Sequence, residues 1–318
     1  MPRAGEPPTL VVVNPRSAGG RTERRWAEIQ RALQRSGVRL SFHLTLGTGD
    51  ATLLTRQAIA DEGIRRVVAV GGDGTVNEVV NGCFAEDGTL LGDDLTVGLI
   101  ASGTAGDFRR TLGLPDDPVI AARVLAAGTT RRLDVGRVTL AGGAHRYFAN
   151  IASCGISADV VARVDRHRPA WGRLRTASFL AAALASLATY RNREVLVTVD
   201  SEVRPRRIQQ VVMANSRWFG AGMMIAPLAR PDDGLLDVVT VGDISRLASI
   251  LALPRLYRGR HLTLPEVEHT RARSVRIEPS GGEDPPLLEA DGELLGPAPA
   301  EVTILPGALR FSAPNHAG

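Results

Sequence analysis

The chain has 318 residues, 44% of them hydrophobic and 23% charged, which is the balance of a globular protein with enough apolar material for a core. All 38 lysine-plus-arginine positions are arginines, so a P-loop ending in Gly-Lys-Ser/Thr and a lysine Schiff base are both excluded. Because 34 acidic residues leave a net charge of only +4, dense coating of nucleic acid is not expected, whereas phosphates or lipid headgroups remain suitable ligands.

The first third of the chain alternates predicted strands and helices. Strands are predicted at residues 9–13, 39–44, 66–70 and 95–100, and helices at 22–36, 51–60, 76–83 and 118–127. The first helix, for example, has Trp26, Ile29 and Leu33 at spacings of three and four, as one buried face of a helix requires. Strands that alternate with helices predict a parallel sheet with helices on both faces.

After about Leu133 short β runs dominate, separated by clusters of Gly, Pro and Asp. They lie at residues 133–138, 146–151, 194–199, 208–214, 236–241, 274–277 and 287–290, with helices predicted around 176–190 and 244–257. This pattern predicts an antiparallel β domain that begins near residue 135.

Two further expectations concern the membrane and the cysteines. The most apolar helical stretch, at residues 176–189, is shorter than the ~18–20 residues that a membrane span needs, so we expect no transmembrane segment. Cys83 and Cys154 are too few for a disulfide framework or a zinc site, and we expect buried free thiols in a reducing cytosol.

Three glycine-rich turns each follow a predicted strand, at residues 14–21, 71–77 and 102–108. In a parallel sheet such turns emerge on one edge, where glycines let backbone N–H groups approach a phosphate and helix N-termini add partial positive charge. The second turn also has Asp73 between paired glycines, a carboxylate that can hold magnesium or a hydroxyl near phosphates. No Gly-x-Gly-x-x-Gly follows the first strand, so the dinucleotide fingerprint is absent.

Several segments resemble the diacylglycerol kinase catalytic-domain family, which includes bacterial diacylglycerol kinases, YegS-like lipid kinases and sphingosine kinases. They are Asn14-Pro15-x-Ser17, the run at residues 71–82, Gly103-Thr104-x-x-Asp107-Phe108, residues 226–238, Asp291-Gly292-Glu293 and residues 304–309. The resemblance covers nearly the whole chain. It implies an ATP-binding α/β domain with an NAD-kinase-like parallel sheet at residues 1–135, to which 306–318 return, and a lipid-binding antiparallel β-sandwich at 136–305.

The resemblance also implies cofactors, ATP and Mg²⁺, and residues for each step. The residues carried over for ATP are Asn14, Pro15, Arg16, Ser17, Ala18, Thr45, Gly71, Gly72, Asp73, Gly74, Thr75, Val76, Asn77 and Thr104. Glu293 is the favoured base for the lipid hydroxyl and Asp291 the second candidate, while Asp73 serves as base or holds the catalytic magnesium. A second, structural magnesium is implied at Asp233, with the backbone oxygens of Arg230 and Leu235.

The sequence departs from the family pattern in two respects. Gly106 stands where the family usually has Asn before the Asp-Phe pair, and the lysines that the family places near the phosphates are absent. Arginines such as Arg16 and Arg21 have to take that role, and a guanidinium binds phosphate as a planar fork rather than as a point charge.

The leading hypothesis is a cytoplasmic, peripheral lipid kinase at the inner face of the membrane, with diacylglycerol as first candidate acceptor. Trp218, Phe219, Met223 and Met224 are candidates to accept acyl chains, and a homodimer is a further expectation. A kinase of a soluble acceptor such as NAD is the alternative enzyme, against which the Asn-Pro-x-Ser and Asp-Gly-Glu turns argue. A nucleotide or lipid sensor without catalysis is the third hypothesis, prompted by Gly106.

Overall fold

A computed structural model describes residues 8–102, 106–171, 175–282 and 284–314, with the backbone alone for 167–171 and 175–180. The chain forms two units. One holds the residues up to Asp134 and those from Gly307 onward, and the other holds Val135–Pro306.

The first unit alternates strands and helices. Its elements are β1 (Thr9–Val13), α1 (Ser17–Arg35), β2 (Leu40–Leu44), α2 (Asp50–Glu62), β3 (Arg66–Gly71), α3 (Asp73–Gly82), β4 (Thr96–Ala101), α4 (Asp107–Leu112) and α5 (Pro118–Ala126). Strands β2, β1, β3 and β4 pair in parallel in that order. The returning chain adds a parallel neighbour to β4 at Arg310 and Phe311. The predicted parallel α/β sheet is therefore confirmed.

Helices cover the sheet of the first unit because its central strands are apolar on both faces. All five residues of β1 are buried, as are five of the six in β3, which is typical of strands in a parallel sheet. Ile29 and Leu33 of α1 pack with Leu125 of α5 against Val11 and Val68. The prediction that Trp26, Ile29 and Leu33 form the buried face of this helix is thus confirmed.

The second unit is built mostly from strands. Its elements are β5 (Thr130–Leu140), β6 (His145–Phe148), β7 (Ile151–Gly155), α6 (Ile156–Trp171), α7 (Arg175–Thr189), β8 (Arg193–Val199), β9 (Glu202–Ile208), β10 (Gln210–Ala214), β11 (Leu236–Val241), α8 (Arg246–Tyr257), β12 (Val267–Ala272), β13 (Ser274–Pro279), β14 (Leu287–Ala290), β15 (Glu293–Pro297) and β16 (Ala300–Ser312). Two of these, β5 and β16, begin or end beyond the unit itself.

Two sheets of this unit enclose one core. The first has six antiparallel strands in the order β12-β11-β10-β7-β14-β15, and the second contains β16, β13, β8 and β9 with β5 and β6. Met213 and Leu288 of the first sheet lie in the same buried cluster as Val197, Val275 and Val302 of the second. The antiparallel β-sandwich is therefore confirmed.

Several elements differ from the sequence-based expectations, and strands β9, β12 and β15 lie where no strand is predicted. The strand predicted at residues 146–151 is two strands, β6 and β7, separated by a corner at Ala149 and Asn150, and helices α4 and α6 are not predicted at all. Among the described residues, no helix is long and apolar enough to cross a membrane. Cys83 and Cys154 are buried free thiols as predicted, and burial raises the pKa of each to about 12.

Candidate functional site

The three glycine-rich turns lie side by side in the first unit, because the strands that precede them, β1, β3 and β4, are neighbours. The Nδ2 of Asn14 in the first turn donates to Oγ1 of Thr75 in the second turn, over 3.3 Å. Oγ1 of Thr22 donates to Oγ of Ser102 at the start of the third turn, over 2.7 Å. The expectation that the turns meet at one edge of the sheet is confirmed.

The first turn has an unusual backbone. Ala18, Gly19 and Gly20 have φ angles of 52°, 65° and 83°, whereas Arg16 before them is right-handed helical. Left-handed backbone next to right-handed backbone points successive N–H groups into one concavity, which binds anions. A left-handed alanine costs about 1 kcal/mol or more, and such strain is concentrated at functional sites. The turn therefore suits a phosphate without a lysine.

The second turn needs glycine at its first position. A Cβ on Gly71 would lie 2.4 Å from Oγ1 of Thr75, so the threonine side chain occupies the space that any other residue would fill. The side chains of Val76 and Asn77 are buried, and Asn77 accepts a hydrogen bond from Nδ2 of Asn81 over 3.1 Å. The N–H of Val76 donates to the carbonyl of Gly72 at 3.3 Å, so a ligand at this turn is offered the first N–H groups of α3 rather than the side chains of residues 76 and 77.

Asp73 connects the second turn to the third. Its carboxylate accepts the backbone N–H groups of Asp107 at 3.2 Å and Phe108 at 3.4 Å, the first two residues of α4. Asp73 is also the first residue of α3, where a negative charge is stabilised by the helix dipole. The carboxylate of Asp73 therefore fixes the position of α4 relative to the second turn, and it also places a negative charge at this edge of the sheet.

The remaining residues predicted to bind ATP have mixed positions. Thr45 follows β2 at the same edge, is buried, and donates its N–H to the carbonyl of Val13 at 2.9 Å. Arg16 is exposed, and its N–H donates to Oδ1 of Asn14 at 3.1 Å. Thr104 lies outside the described residues.

In the second unit, Asp291 and Gly292 form the two-residue turn between β14 and β15. Their φ angles of 49° and 82° are those of a type I′ hairpin, in which Asp-Gly is strongly preferred. The aspartate carboxylate accepts the N–H groups of Ala149, Asn150 and Ile151 at 2.9, 3.1 and 2.9 Å. Asp291 therefore holds the corner between β6 and β7, and this contact explains why one predicted strand is two.

Glu293, directly after this turn, is a partly exposed carboxylate. It begins β15 and forms an ion pair with Arg146 of β6, and the two side chains are 27% and 26% exposed. The partner fixes the direction of the carboxylate while leaving it in contact with solvent. This geometry suits a group that exchanges a proton with a bound hydroxyl.

Glu289 belongs to the same hairpin and is missed by sequence reasoning. It is buried, its Oε1 lies 2.5 Å from Oγ of Ser153, and its Oε2 accepts the N–H of Gly292 at 2.9 Å. Burial raises the pKa of Glu289 to about 7, and the nearby charge of Asp291 adds to the rise. Its sequence context gives no signal, because a glutamate in a strand is usually exposed.

Asp233 has an arginine for a partner. Its Oδ1 accepts the N–H of Leu235 at 3.1 Å, and its Oδ2 is bound by the guanidinium of Arg271 on β12. The exposed Arg230 lies near a different carboxylate, that of Asp232, at 3.7 Å. Both carboxylate oxygens of Asp233 are therefore engaged, one of them by a guanidinium, and the second magnesium stays a prediction.

Within residues 8–102, 106–171, 175–282 and 284–314, no group of three or more His, Cys, Asp or Glu side chains is placed to hold a metal ion. The buried Asp237 near Asp233 instead contacts Nε2 of His269 at 2.6 Å, and burial raises the pKa of this aspartate.

Comparison with known protein families divides the chain into two domains that correspond closely to the two units of the fold. The diacylglycerol kinase catalytic domain matches residues 8–138, and the YegS C-terminal NAD kinase beta sandwich-like domain matches residues 150–313. A crystal structure of a diacylglycerol kinase from Bacillus anthracis superposes with a TM-score of 0.72 over 99% of both chains at 22% identity, which supports the fold.

Curated relatives match over most of their length. The diacylglycerol kinase of Mycobacterium tuberculosis is 33% identical over 84% of this chain and 82% of its own. The diacylglycerol kinase of Bacillus subtilis is 28% identical over 93% and 92%, and the "Probable lipid kinase YegS-like" of Chromohalobacter salexigens is 30% identical over 96% and 93%. Together with the fold and the glycine-rich turns, these matches show that the chain belongs to the family of bacterial diacylglycerol kinases and YegS-like lipid kinases.

Proposed function

We propose that this protein is an ATP-dependent lipid kinase, which transfers the γ-phosphate of ATP to a hydroxyl of a membrane lipid. The observation that carries the proposal is the pair of Asp291 and Glu293, where one carboxylate locks a hairpin and leaves the other oriented but accessible. The three linked turns of the first unit support it, because they offer N–H and hydroxyl groups to phosphates.

In this proposal the first unit binds the nucleotide. The N–H groups of the left-handed segment at residues 18–20 and those of Asp73 and Gly74 at the start of α3 receive the phosphates, and Arg16 contributes a positive charge in place of a lysine. Thr45 and Thr104 are assigned to the same nucleotide from the family resemblance alone. Phosphoryl transfer depends on such positioning and on charge stabilisation more than on covalent chemistry.

In the second unit Glu293 acts as the general base. As the lipid oxygen forms its bond to the γ-phosphorus, the bond from that phosphorus to the β,γ-bridging oxygen breaks and ADP leaves. The proton of the hydroxyl passes to the carboxylate of Glu293. Arg146 directs this carboxylate, and Asp291 keeps the hairpin in place.

Magnesium would be held on the nucleotide side by Asp73, since a carboxylate oxygen is the ligand that this hard cation prefers. When bound, the ion would offset the charge of the β- and γ-phosphates. The second magnesium predicted at Arg230, Asp233 and Leu235 stays a prediction, because Arg271 engages the central carboxylate.

Diacylglycerol is the first candidate acceptor, since the relatives from M. tuberculosis and B. subtilis bear the name diacylglycerol kinase. Trp218, Phe219, Met223 and Met224 are half-buried and are proposed to contact acyl chains. Phe219 and Met223 exchange two backbone hydrogen bonds of 3.0 Å, which gives this segment a defined shape. We place the reaction at the inner face of the cytoplasmic membrane.

The experiment is phosphate transfer from radiolabelled ATP to a panel of acceptors and to a total lipid extract, with products identified by mass spectrometry. Diacylglycerol, a prenol, a sphingoid base and NAD form the panel. The proposal expects a phosphorylated lipid, and expects Glu293→Gln and Asp73→Asn each to abolish most of it. Phosphorylated NAD alone would favour the soluble-acceptor kinase, and ATP binding without any product would favour a sensor.

A further inference from the structure

Helix α8 of the second unit carries an exposed apolar strip. Leu247, Ile250 and Leu251 are 68%, 41% and 69% exposed, and Pro254 is exposed as well. Spacings of three, four and seven residues place these side chains on one side of the helix. We call these four residues the α8 apolar face.

The opposite side of α8 is fixed to the unit. Ser249 is buried, and its Oγ accepts a hydrogen bond from Nε2 of Gln209 at 2.7 Å. Leu256 packs on the buried cluster that contains Val212 and Ile225. Because these contacts hold the helix, the α8 apolar face cannot turn inward without unwinding it, and the strip stays presented to its surroundings.

The charges within the segment of α8 and the turn after it have one sign, and Asp243 and Glu266 border this segment. Residues 245–265 include four arginines, Arg246, Arg255, Arg258 and Arg260, and no aspartate or glutamate. All four are exposed. In the described part of the chain, no carboxylate forms an ion pair with Arg255, Arg258 or Arg260, whereas Arg204 and Arg206 of β9 are paired with Glu202 and Glu268.

We infer that α8 docks the protein on an anionic lipid surface. In this arrangement the leucines and Ile250 of the α8 apolar face enter the boundary between headgroups and acyl chains, about 5–10 Å deep. The four arginines then contact lipid phosphates, which supply the negative charge missing from this part of the protein. The choice of a lipid surface rests on the proposed function, because a kinase of membrane lipids has to reach its substrate there.

Two copies of the chain meeting through this face fit less well. An isologous contact places the same patch on both partners, so the arginines of one copy would lie beside those of the other. No acidic residue of the segment 245–265 is present to compensate them. The same argument separates the lipid surface from a neutral apolar partner, which would leave the guanidiniums without counter-charge.

The test measures binding of the full chain to vesicles of phosphatidylcholine, with and without phosphatidylglycerol. We expect Leu247→Ser/Leu251→Ser to weaken binding at least tenfold, because each leucine loses its burial in the acyl boundary. We expect Arg255→Ala/Arg258→Ala to weaken binding about fivefold per arginine on phosphatidylglycerol vesicles only. The controls change apolar residues that are 50% and 58% exposed, in Ile120→Ser/Val203→Ser, and arginines paired with Glu268 and Glu278, in Arg206→Ala/Arg276→Ala. Both control variants lie outside α8 and should bind normally.

Two further measurements separate the outcomes. Sedimentation velocity reports whether the leucine variant changes its oligomeric state, and phosphorylation of a short-chain diacylglycerol dissolved as monomers reports catalysis without a membrane. Unchanged vesicle binding by the leucine variant, or a change in oligomeric state instead, overturns the inference. If no lipid is ever phosphorylated but the leucine variant loses vesicle binding, the proposed function fails and the docking surface stands.

Discussion

The candidate site of the first unit and that of the second are built from different groups. At the sheet edge of the first unit, a phosphate would meet backbone N–H groups and hydroxyls, with Asp73 as the central charged side chain. In the second unit the predicted residues are carboxylates, held by N–H groups at Asp291, by Arg146 at Glu293 and by Arg271 at Asp233. The first site depends on backbone shape, whereas the second depends on charge.

This difference determines what a substitution should change. Adding a side chain in the first unit blocks the approach of a ligand, while neutralising a carboxylate in the second unit alters a proton or an ion pair. If added side chains in the first unit left ligand binding unchanged, or if neutral carboxylates in the second unit left activity and stability unchanged, this distinction between the two sites would be wrong.

The largest effect is expected for Glu293→Gln. Removing a general base lowers the rate of phosphoryl transfer by about 10²–10⁴-fold, and the thermal midpoint should change little because the side chain is partly exposed. Asp291→Ala is the contrasting variant, since it leaves three N–H groups without their acceptor, at about 1–3 kcal/mol each. Steady-state kinetics and thermal unfolding of both variants compare the loss of rate in Glu293→Gln with the loss of stability in Asp291→Ala. A Glu293→Gln variant with normal kcat would remove Glu293 as base.

The second effect concerns pH. The pKa of Glu289 is about 7 in the folded protein, above its ordinary value of 4.5, so the folded state keeps a proton that the unfolded state loses. Stability should therefore fall as pH rises from about 4.5 to about 7, by about 3 kcal/mol in all. Glu289→Gln should remove this fall, so the variant matches wild type near pH 4.5 and exceeds it at pH 8.

Urea unfolding at several pH values measures that difference, and the exposed Glu301→Gln is the control. Gln can still accept from Gly292 and donate to Ser153, so the hairpin should persist. A Glu289→Gln variant that parallels wild type across this range would mean that the carboxyl is ionised when folded.

The third effect tests the backbone of the first unit. A Cβ on Gly74 meets nothing within 4 Å, and alanine is about 0.5–1 kcal/mol better than glycine inside a helix. Gly74→Ala should therefore keep or raise stability, yet weaken ATP binding about tenfold if phosphates approach this backbone closely. Gly71→Ala, which collides with Thr75, should instead destabilise the fold. Calorimetric titration with ATP measures the affinity of each variant. Unchanged affinity in Gly74→Ala would show that no phosphate comes near position 74.

The sequence reveals most of the first unit because its signals are local. Glycines, an aspartate and β-branched runs lie next to one another in the chain, and the parallel sheet puts the turns on one edge. In the second unit Arg146 and Glu293 are 147 residues apart, and Asp233 and Arg271 are 38 apart. Strand pairing brings them together, and a single sequence does not show that pairing. Glu289 is missed for the same reason, since only the fold shows that it is buried.

The smallest effect expected concerns Arg271. Arg271→Met keeps an apolar stem and removes the guanidinium from Asp233, at a cost of about 1 kcal/mol, because the arginine is 44% exposed. The carboxylate of Asp233, released from the guanidinium, then becomes available to a cation, so Mg²⁺ should restore the lost stability of the variant and leave wild type unchanged. Thermal unfolding with Mg²⁺ or a chelator measures this, with Arg276→Met, from the surface pair with Glu278, as control. Stabilisation of wild type to the same extent would mean that magnesium displaces Arg271, and that the second metal predicted at Asp233 binds after all.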